Sequence, residues 1–313
     1  MVANEQETIW LKRAEHALTQ CDLPDARVSW LAYTHNAVFQ VHHHNTRYIL
    51  RLSPPTERER LSSECAMLQT IAQDGLSVPQ AIAMLNDADY CGLLLSYFDG
   101  VSPEPAQVTT ETLNAIGRFL GRLHTLSFDP VLARPHLDWD GLFSAQGVYH
   151  PGDENLRTFT DGQVQVMAQV SERVRQAMQA LDQLGDAWGI IHADLLLKNV
   201  LFDQGNLHAL DFEYSGWGYY LYDLTPVLWQ LKPHPRYAQF EQALWEGYTH
   251  IRPLTSAHHD WLETLLAGRQ VASMRWVVAN QHNPYVVGKV SQILAQRATE
   301  LQDYLQTGHL SRQ

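Results

Sequence analysis

Between Ile190 and Phe212 the chain leaves itself few folding choices. A short apolar strand, Ile190-Ile191, opens into a loop that carries His192, Asp194, Lys198 and Asn199. Val200-Leu201-Phe202, an Asp-Gln-Gly-Asn turn and Leu207 to Leu210 follow. Two apolar runs around a tight glycine-containing turn predict a β-hairpin. Folding about Gln204-Gly205 sets Asn199 opposite Leu210 or Asp211, so an amide and a carboxylate far apart in sequence become neighbours.

The pattern on either side differs. Residues Thr8 to Cys21 read as a helix with a ragged apolar stripe, and Arg27 to Leu31, Ala37 to His42 and Thr46 to Leu52 as a β-meander. Thr56-Glu57-Arg58-Glu59 has capping-box spacing, which starts a helix there, with Leu61, Cys65, Leu68, Ile71 and Ala72 on one face and a stop at Gly75. Two more strands, Gln80 to Leu85 and Tyr90 to Tyr97, precede a Gly- and Pro-rich stretch, 98–105. Beyond it Leu113, Ile116, Leu120 and Leu123 recur at helical spacing, as do Met167, Val170, Val174, Met178, Leu181 and Leu184. The expected architecture is α+β in two lobes separated by a cleft: a small antiparallel-sheet N-lobe over 1–97, a linker over 98–105 and a mainly helical C-lobe over 106–313.

Composition narrows the partners. With 22 Lys and Arg against 34 Asp and Glu the net charge is −12, which argues against nucleic acid or an anionic membrane surface as the main partner. No run reaches the ~18 apolar residues of a membrane helix, and the first residues lack the basic and apolar regions of a signal peptide. A cytoplasmic protein is expected. Cys21, Cys65 and Cys91 are scattered and odd in number, so they read as small core residues.

An amide oxygen and a carboxylate at a cleft rim suit Mg²⁺, which takes few protein ligands and completes its shell with water and phosphates. Asp194, just before the hairpin, can point at a hydroxyl. Phosphoryl transfer needs these parts: metal ligands and a carboxylate that accepts the proton of the attacking oxygen. In the helix after Pro54-Pro55, Glu64 shares a face with Leu61 and Leu68, and a carboxylate there requires a cation. Arg51, on the strand Tyr48 to Leu52, is the natural partner.

The spacing Asp194-x-x-x-x-Asn199, followed by Asp211-Phe212, resembles the aminoglycoside phosphotransferase and choline kinase family, small-molecule relatives of protein kinases. The resemblance covers about Ala32 to Leu231 and implies a protein-kinase-like fold with ATP and Mg²⁺ as cofactors and a small-molecule hydroxyl as acceptor. It implies Asp194 as catalytic base, Asn199 and Asp211 as metal ligands, and Asp223 as a brace of the catalytic loop. Asp223 also suits a helix N-cap ahead of Pro226. Arg51 takes the place of the phosphate-gripping strand cation, often Lys in relatives, with Glu64 as its helix partner. Tyr33 to Val38, with Asn36, stands where the phosphate-covering loop belongs, without its glycines. Leu94 to Phe98, with Leu95 and Tyr97, resembles the adenine hinge. Ala193 replaces the usual Gly.

Other residues are given supporting roles. His192 reads as an orienting residue of the loop, and Glu213 as a contact for the acceptor or for metal-bound water. His42-His43-His44 reads as a solvated hairpin and His258-His259 as helix capping, because neither run points two imidazoles at one metal. Trp217 to Tyr222 reads as packing with part of a substrate pocket. His136 to Leu156 and Arg275 to Lys289 are the segments expected to bind the acceptor, with amino alcohol, aminoglycoside, amino acid and sugar all open. The pattern is shared by a protein Ser/Thr kinase and by a nucleotide-binding regulator without turnover; a metal hydrolase built on the histidines is the remaining alternative. The oligomeric state is open.

Overall fold

The computed structural model describes residues 5–33 and 36–312. It divides into two compact units, Met1–Val101 with Phe128–Arg134 and Asp203–Leu210, and Ser102–Ser127 with Pro135–Phe202 and Asp211–Gln313.

The first unit contains α1 (Glu5–Gln20), β1 (Arg27–Tyr33), β2 (Ala37–His43), β3 (Thr46–Ser53), α2 (Arg58–Gln73), β4 (Ala81–Asn86) and β5 (Cys91–Ser96). The strands form an antiparallel sheet in the order β1-β2-β3-β5-β4. Side chains alternate across a strand, and β3 uses this to serve two purposes. Leu50 and Leu52 point into a core with Trp10, Ala14, Ala17 and Leu18 of α1 and Phe39 and Val41 of β2. Arg51, between them, points the other way and meets α2. Burying each large apolar side chain contributes about 1.5–3 kcal/mol, which fixes the register and with it the direction of Arg51.

Two local expectations are corrected here. The Thr56–Glu59 capping box does not form. Pro55–Glu57 make a 3-10 turn instead, α2 begins at Arg58, and its N-cap Glu57 makes no side-chain cap bond. Proline fixes φ and lacks an amide proton, so it favours a tight turn ahead of the helix proper. Of the cysteines, only Cys91 is fully buried; Cys21 and Cys65 are half-buried, and all three are free.

The second unit is mainly helical: α3 (Thr110–Leu123), α4 (Trp139–Phe143), α5 (Asp161–Leu184), α6 (Thr225–Leu231), α7 (Tyr237–Ile251), α8 (Ser256–His259), α9 (Leu262–Ala279) and α10 (Val290–Thr307). The strands after β5 are β6 (His136–Leu137), β7 (Trp188–Ile191), β8 (Val200–Asp203), β9 (Asn206–Ala209), which falls among the residues of the first unit, and β10 (Gly216–Tyr219). β8 and β9 form the expected hairpin, with Gln204 and Gly205 both left-handed at φ 47° and 84°. The aromatic run Trp217 to Tyr222 is not only packing: Gly216–Tyr219 is a strand, antiparallel to β7 and parallel to β6.

Glycines let α3 and α7 approach closely. A Cβ on Gly247 would lie 2.2 Å from the carbonyl oxygen of Asn114, and one on Gly117 would lie 2.2 Å from that of Leu244. Gly247→Ala is expected to cost about 1–3 kcal/mol in a urea melt, because the methyl has backbone rather than a pliable side chain to displace. A parent-like midpoint would show that the two helices can separate freely.

Candidate active site

The loop after β7 is held from beneath by one carboxylate. Asp223, fully buried, accepts from the backbone N–H of His192 through Oδ2 at 2.7 Å and from that of Ala193 through Oδ1 at 2.6 Å. Its Oδ2 also lies 3.0 Å from Nε2 of His124. Asp223 is not a helix N-cap, as its spacing before Pro226 suggested. It sits inside the 3-10 turn Tyr220–Leu224, and Leu224 precedes α6. Three donors directed at the carboxylate outweigh one free amide at a helix end. With both amides secured, Ala193 takes φ 65°, the left-handed region in which glycine is at ease.

His124 closes α3, and its Nδ1 lies 2.9 Å from the Tyr248 hydroxyl of α7. A neutral ring donating from Nε2 to Asp223 and accepting at Nδ1 from Tyr248 satisfies both bonds. Burial pushes the imidazole pKa down, more than Asp223 pulls it up. Burial also pushes the Asp223 carboxyl up, but His124 and the His192 amide outweigh it and the pKa falls below its usual value.

The two shifts make stability depend on pH in the same direction. Below about pH 6.5 the unfolded chain binds a proton at His124 that the native state refuses, so stability falls with pH from there. The Asp223 contribution is present above about pH 4 and is lost below it, as the pH drops through the lowered native pKa. Urea melts between about pH 7.5 and 5.5 should show unfolding free energy declining toward acid in the parent, with a shallower slope in His124→Gln. Identical slopes would remove His124 from this role.

On this base the loop presents its side chains. Asp194 is nearly buried, and its Oδ1 pairs with Nη2 of Arg269 at 2.5 Å. Asn199, also buried, donates from Nδ2 to the Asp194 carbonyl at 2.8 Å and, over 3.4 Å, to Asp194 Oδ2. Those bonds use the nitrogen of the amide and leave its oxygen for another partner. Asp211 stands two residues beyond β9, exposed and left-handed at φ 60°. The hairpin thus starts one residue after Asn199 and ends two before Asp211.

His192 lies buried against Phe212, with ring centroids 4.4 Å apart, and the Asp194 amide donates to its Nδ1 at 3.4 Å. Glu213 lies half-buried in the turn after Asp211. Among the described residues no three His, Cys, Asp or Glu are grouped to hold a metal. His258 closes a capping box with Thr255, and His42 and His44 are exposed at their hairpin.

In the first unit Arg51 Nη2 meets Glu64 Oε2 at 2.7 Å, both buried. Burial pushes the Glu64 carboxyl up, yet Arg51, Arg134 and Arg60 together hold its pKa below the usual value. Arg134 is buried and donates to the Arg60 carbonyl. Asn36, also buried, accepts from the Ser53 hydroxyl at 2.5 Å, while Thr34 and His35 of the same loop lie outside the described residues. Leu95 is inside β5, paired to Ile49 and Ala81, whereas Tyr97 follows the end of the strand and carries the Arg47 guanidinium over its ring.

Arg269, Tyr149, His124 and Arg134 were not identified from sequence. Arg269 had one signal: a charge within a helix that is buried on almost every face from Leu262 to Val278. His124 also had one, following Ile116 and Leu120 at the helical spacing of the apolar face of α3.

The Asn199 amide oxygen and the Asp211 carboxylate are hard oxygen donors of the kind that suits a hydrated divalent cation. A homoserine kinase of Gluconobacter oxydans (strain 621H) is 27% identical over 224 residues, 66% of this chain and 66% of that enzyme, so the match spans just under two thirds of the relative. The structure of a microcompartment-associated aminopropanol kinase superposes with TM-score 0.79 at 21% identity, over 97% of this chain and 100% of the other. That of an amicoumacin kinase in complex with AMP-PNP and Ca²⁺ gives 0.73 at 20% identity, over 96% of both. These likenesses give the fold as that of small-molecule kinases. The sequence model of the phosphotransferase enzyme family matches residues 32–261, well over half of the chain, and the chain belongs to that family.

Proposed function

We propose that the chain transfers the γ-phosphoryl group of ATP to a hydroxyl of a small molecule. The observation that carries this reading is the buried Asp194 carboxylate beside Asn199, on a loop whose two preceding amides are tied to Asp223. Asp194 would take the proton of the acceptor hydroxyl. Asn199 and Asp211 would hold Mg²⁺, which neutralises charge on the phosphates. Arg51 would contact phosphate oxygens, with Glu64 fixing its direction; Asn36 would belong to the phosphate loop, and Leu95 and Tyr97 to the adenine hinge. His192 and Asp223 would support the loop, and Glu213 would face the acceptor or metal-bound water.

The relatives' names favour an amine-bearing alcohol, since homoserine and aminopropanol each pair an amine with a hydroxyl. A net charge of −12 favours the same cationic class. Action in the cytoplasm, where ATP is supplied, goes with this reading; among the described residues no helix is long and apolar enough to cross a membrane.

The test is ADP release over amino alcohols, hydroxy amino acids, aminoglycosides and sugars, with mass detection of the phosphorylated product and the Asp194→Asn enzyme as blank. A product with one added phosphoryl group is expected. ATP binding without transfer to any acceptor would favour the regulator instead, and label on polypeptide would favour a protein kinase.

A further inference from the structure

Arg269 reaches Asp194 from α9, 75 residues further along the chain. Its guanidinium is buried and its donors are divided: Nη2 to Asp194 Oδ1 at 2.5 Å, Nη1 to the Tyr149 hydroxyl at 3.2 Å, and Nε without a hydrogen-bond partner among the described residues. Tyr149 and Trp229 flank it, with ring centroids 5.9 and 5.8 Å from the guanidinium carbon, and the buried Tyr222 also lies beside it.

Stability alone is a poor reason to keep such an arrangement. A buried ion pair is commonly matched or bettered by apolar residues of similar volume, and here one donor is left unsatisfied as well. What the pair does supply is direction. Asp194 has two oxygens. Oδ1 is held by the guanidinium, whereas among the described residues Oδ2 has only the long 3.4 Å contact from Asn199. Carboxylate oxygens accept more than one hydrogen bond, so Oδ2 keeps capacity for an incoming hydroxyl on the side of the cation ligand Asn199.

We infer that Arg269 is a positioning residue for phosphotransfer: by gripping Oδ1 it fixes the Asp194 carboxylate so that Oδ2 faces the acceptor hydroxyl and takes its proton. Tyr149, stacked on Tyr214 at 5.6 Å, holds the far side of the guanidinium and keeps the fork from rotating. The inference rests on the phosphotransfer reading above and adds to it a residue outside the loop motif.

The experiment compares the parent, Asp194→Asn, Arg269→Ala and the Asp194→Asn/Arg269→Ala double variant, with ATP and the acceptor found by the screen. A misplaced reacting group costs on the order of 10²-fold. Arg269→Ala should therefore lower kcat by about that factor while KM for ATP stays near the parent value. Added ethylguanidinium should restore most of the loss in kcat without raising the melting temperature. On the Asp194→Asn background the same change should cost no further turnover, because Arg269 acts through Asp194.

Parent-like kcat in Arg269→Ala, or an equal loss with and without the Asp194 carboxylate, would overturn the inference. So would a loss that ethylguanidinium leaves untouched. Should Arg269→Ala fail to fold by circular dichroism, Arg269→Lys replaces it, since lysine keeps the charge without the two-pronged donor. A lowered kcat at unchanged melting temperature then supports the inference and a parent-like kcat overturns it. A parent enzyme that phosphorylates nothing sinks the phosphotransfer reading itself; an active parent indifferent to Arg269 sinks only the inference.

Discussion

Asp194→Asn is expected to lower kcat by roughly 10³-fold, the range in which a positioned general base contributes. Asparagine is nearly isosteric and still offers an oxygen to Arg269, but it cannot hold the hydroxyl proton. The loop is anchored through the amides of His192 and Ala193, so its path should survive the change. Nucleotide binding, followed by calorimetry with a non-hydrolysable ATP analogue, should remain near the parent affinity. The substitution also leaves the buried Arg269 without its counter-charge, which lowers stability, so turnover must be read well below the melting temperature. A folded Asp194→Asn enzyme with parent-like turnover would remove Asp194 as the proton acceptor.

Asp223→Ala should be costlier to the fold. Three groups lose their acceptor at once, the amides of His192 and Ala193 and the imidazole of His124, and all of them are buried. Unsatisfied buried donors cost about 1–3 kcal/mol each, and such losses overlap within one network, so a total of about 3–5 kcal/mol is expected in urea unfolding. Turnover should fall as well, because Asp194 and Asn199 ride on the loosened loop. A cost below about 1 kcal/mol would mean that water or a neighbouring group takes over the amides, and that Asp223 is not the brace.

The first unit was largely legible. Strands β2 and β3 lie within a residue of their expected ends, since alternating apolar residues and turn chemistry act over a few positions. Arg51 and Glu64 could be matched because they are 13 residues apart, on a strand and the helix that follows it. The start of α2 was misjudged because Thr56 and Glu59 satisfy a spacing rule that Pro55 overrides. Strand β10 was missed because Gly216-Trp217-Gly218-Tyr219 has no β-branched residue and two glycines, and it becomes a strand by pairing with β6 and β7.

In the loop, the placement of Asp194, Asn199 and Asp211 about a hairpin could be read from the chain, because a two-residue turn fixes which ends return together. Asp223 was implied by the resemblance as a partner of that loop, whereas His124 and Arg269 were not read from the chain. His124 lies 99 residues from Asp223, and Arg269 lies 75 from Asp194. Periodicity tells which face of a helix is buried, but it does not name the surface that face will meet. Sequence therefore offered the candidate groups and their order, while the packing of α3, α7 and α9 decides what holds them still. The reason is one of range: turns and alternation are local rules, whereas a buried charge finds its counter-charge only once distant helices have closed around it.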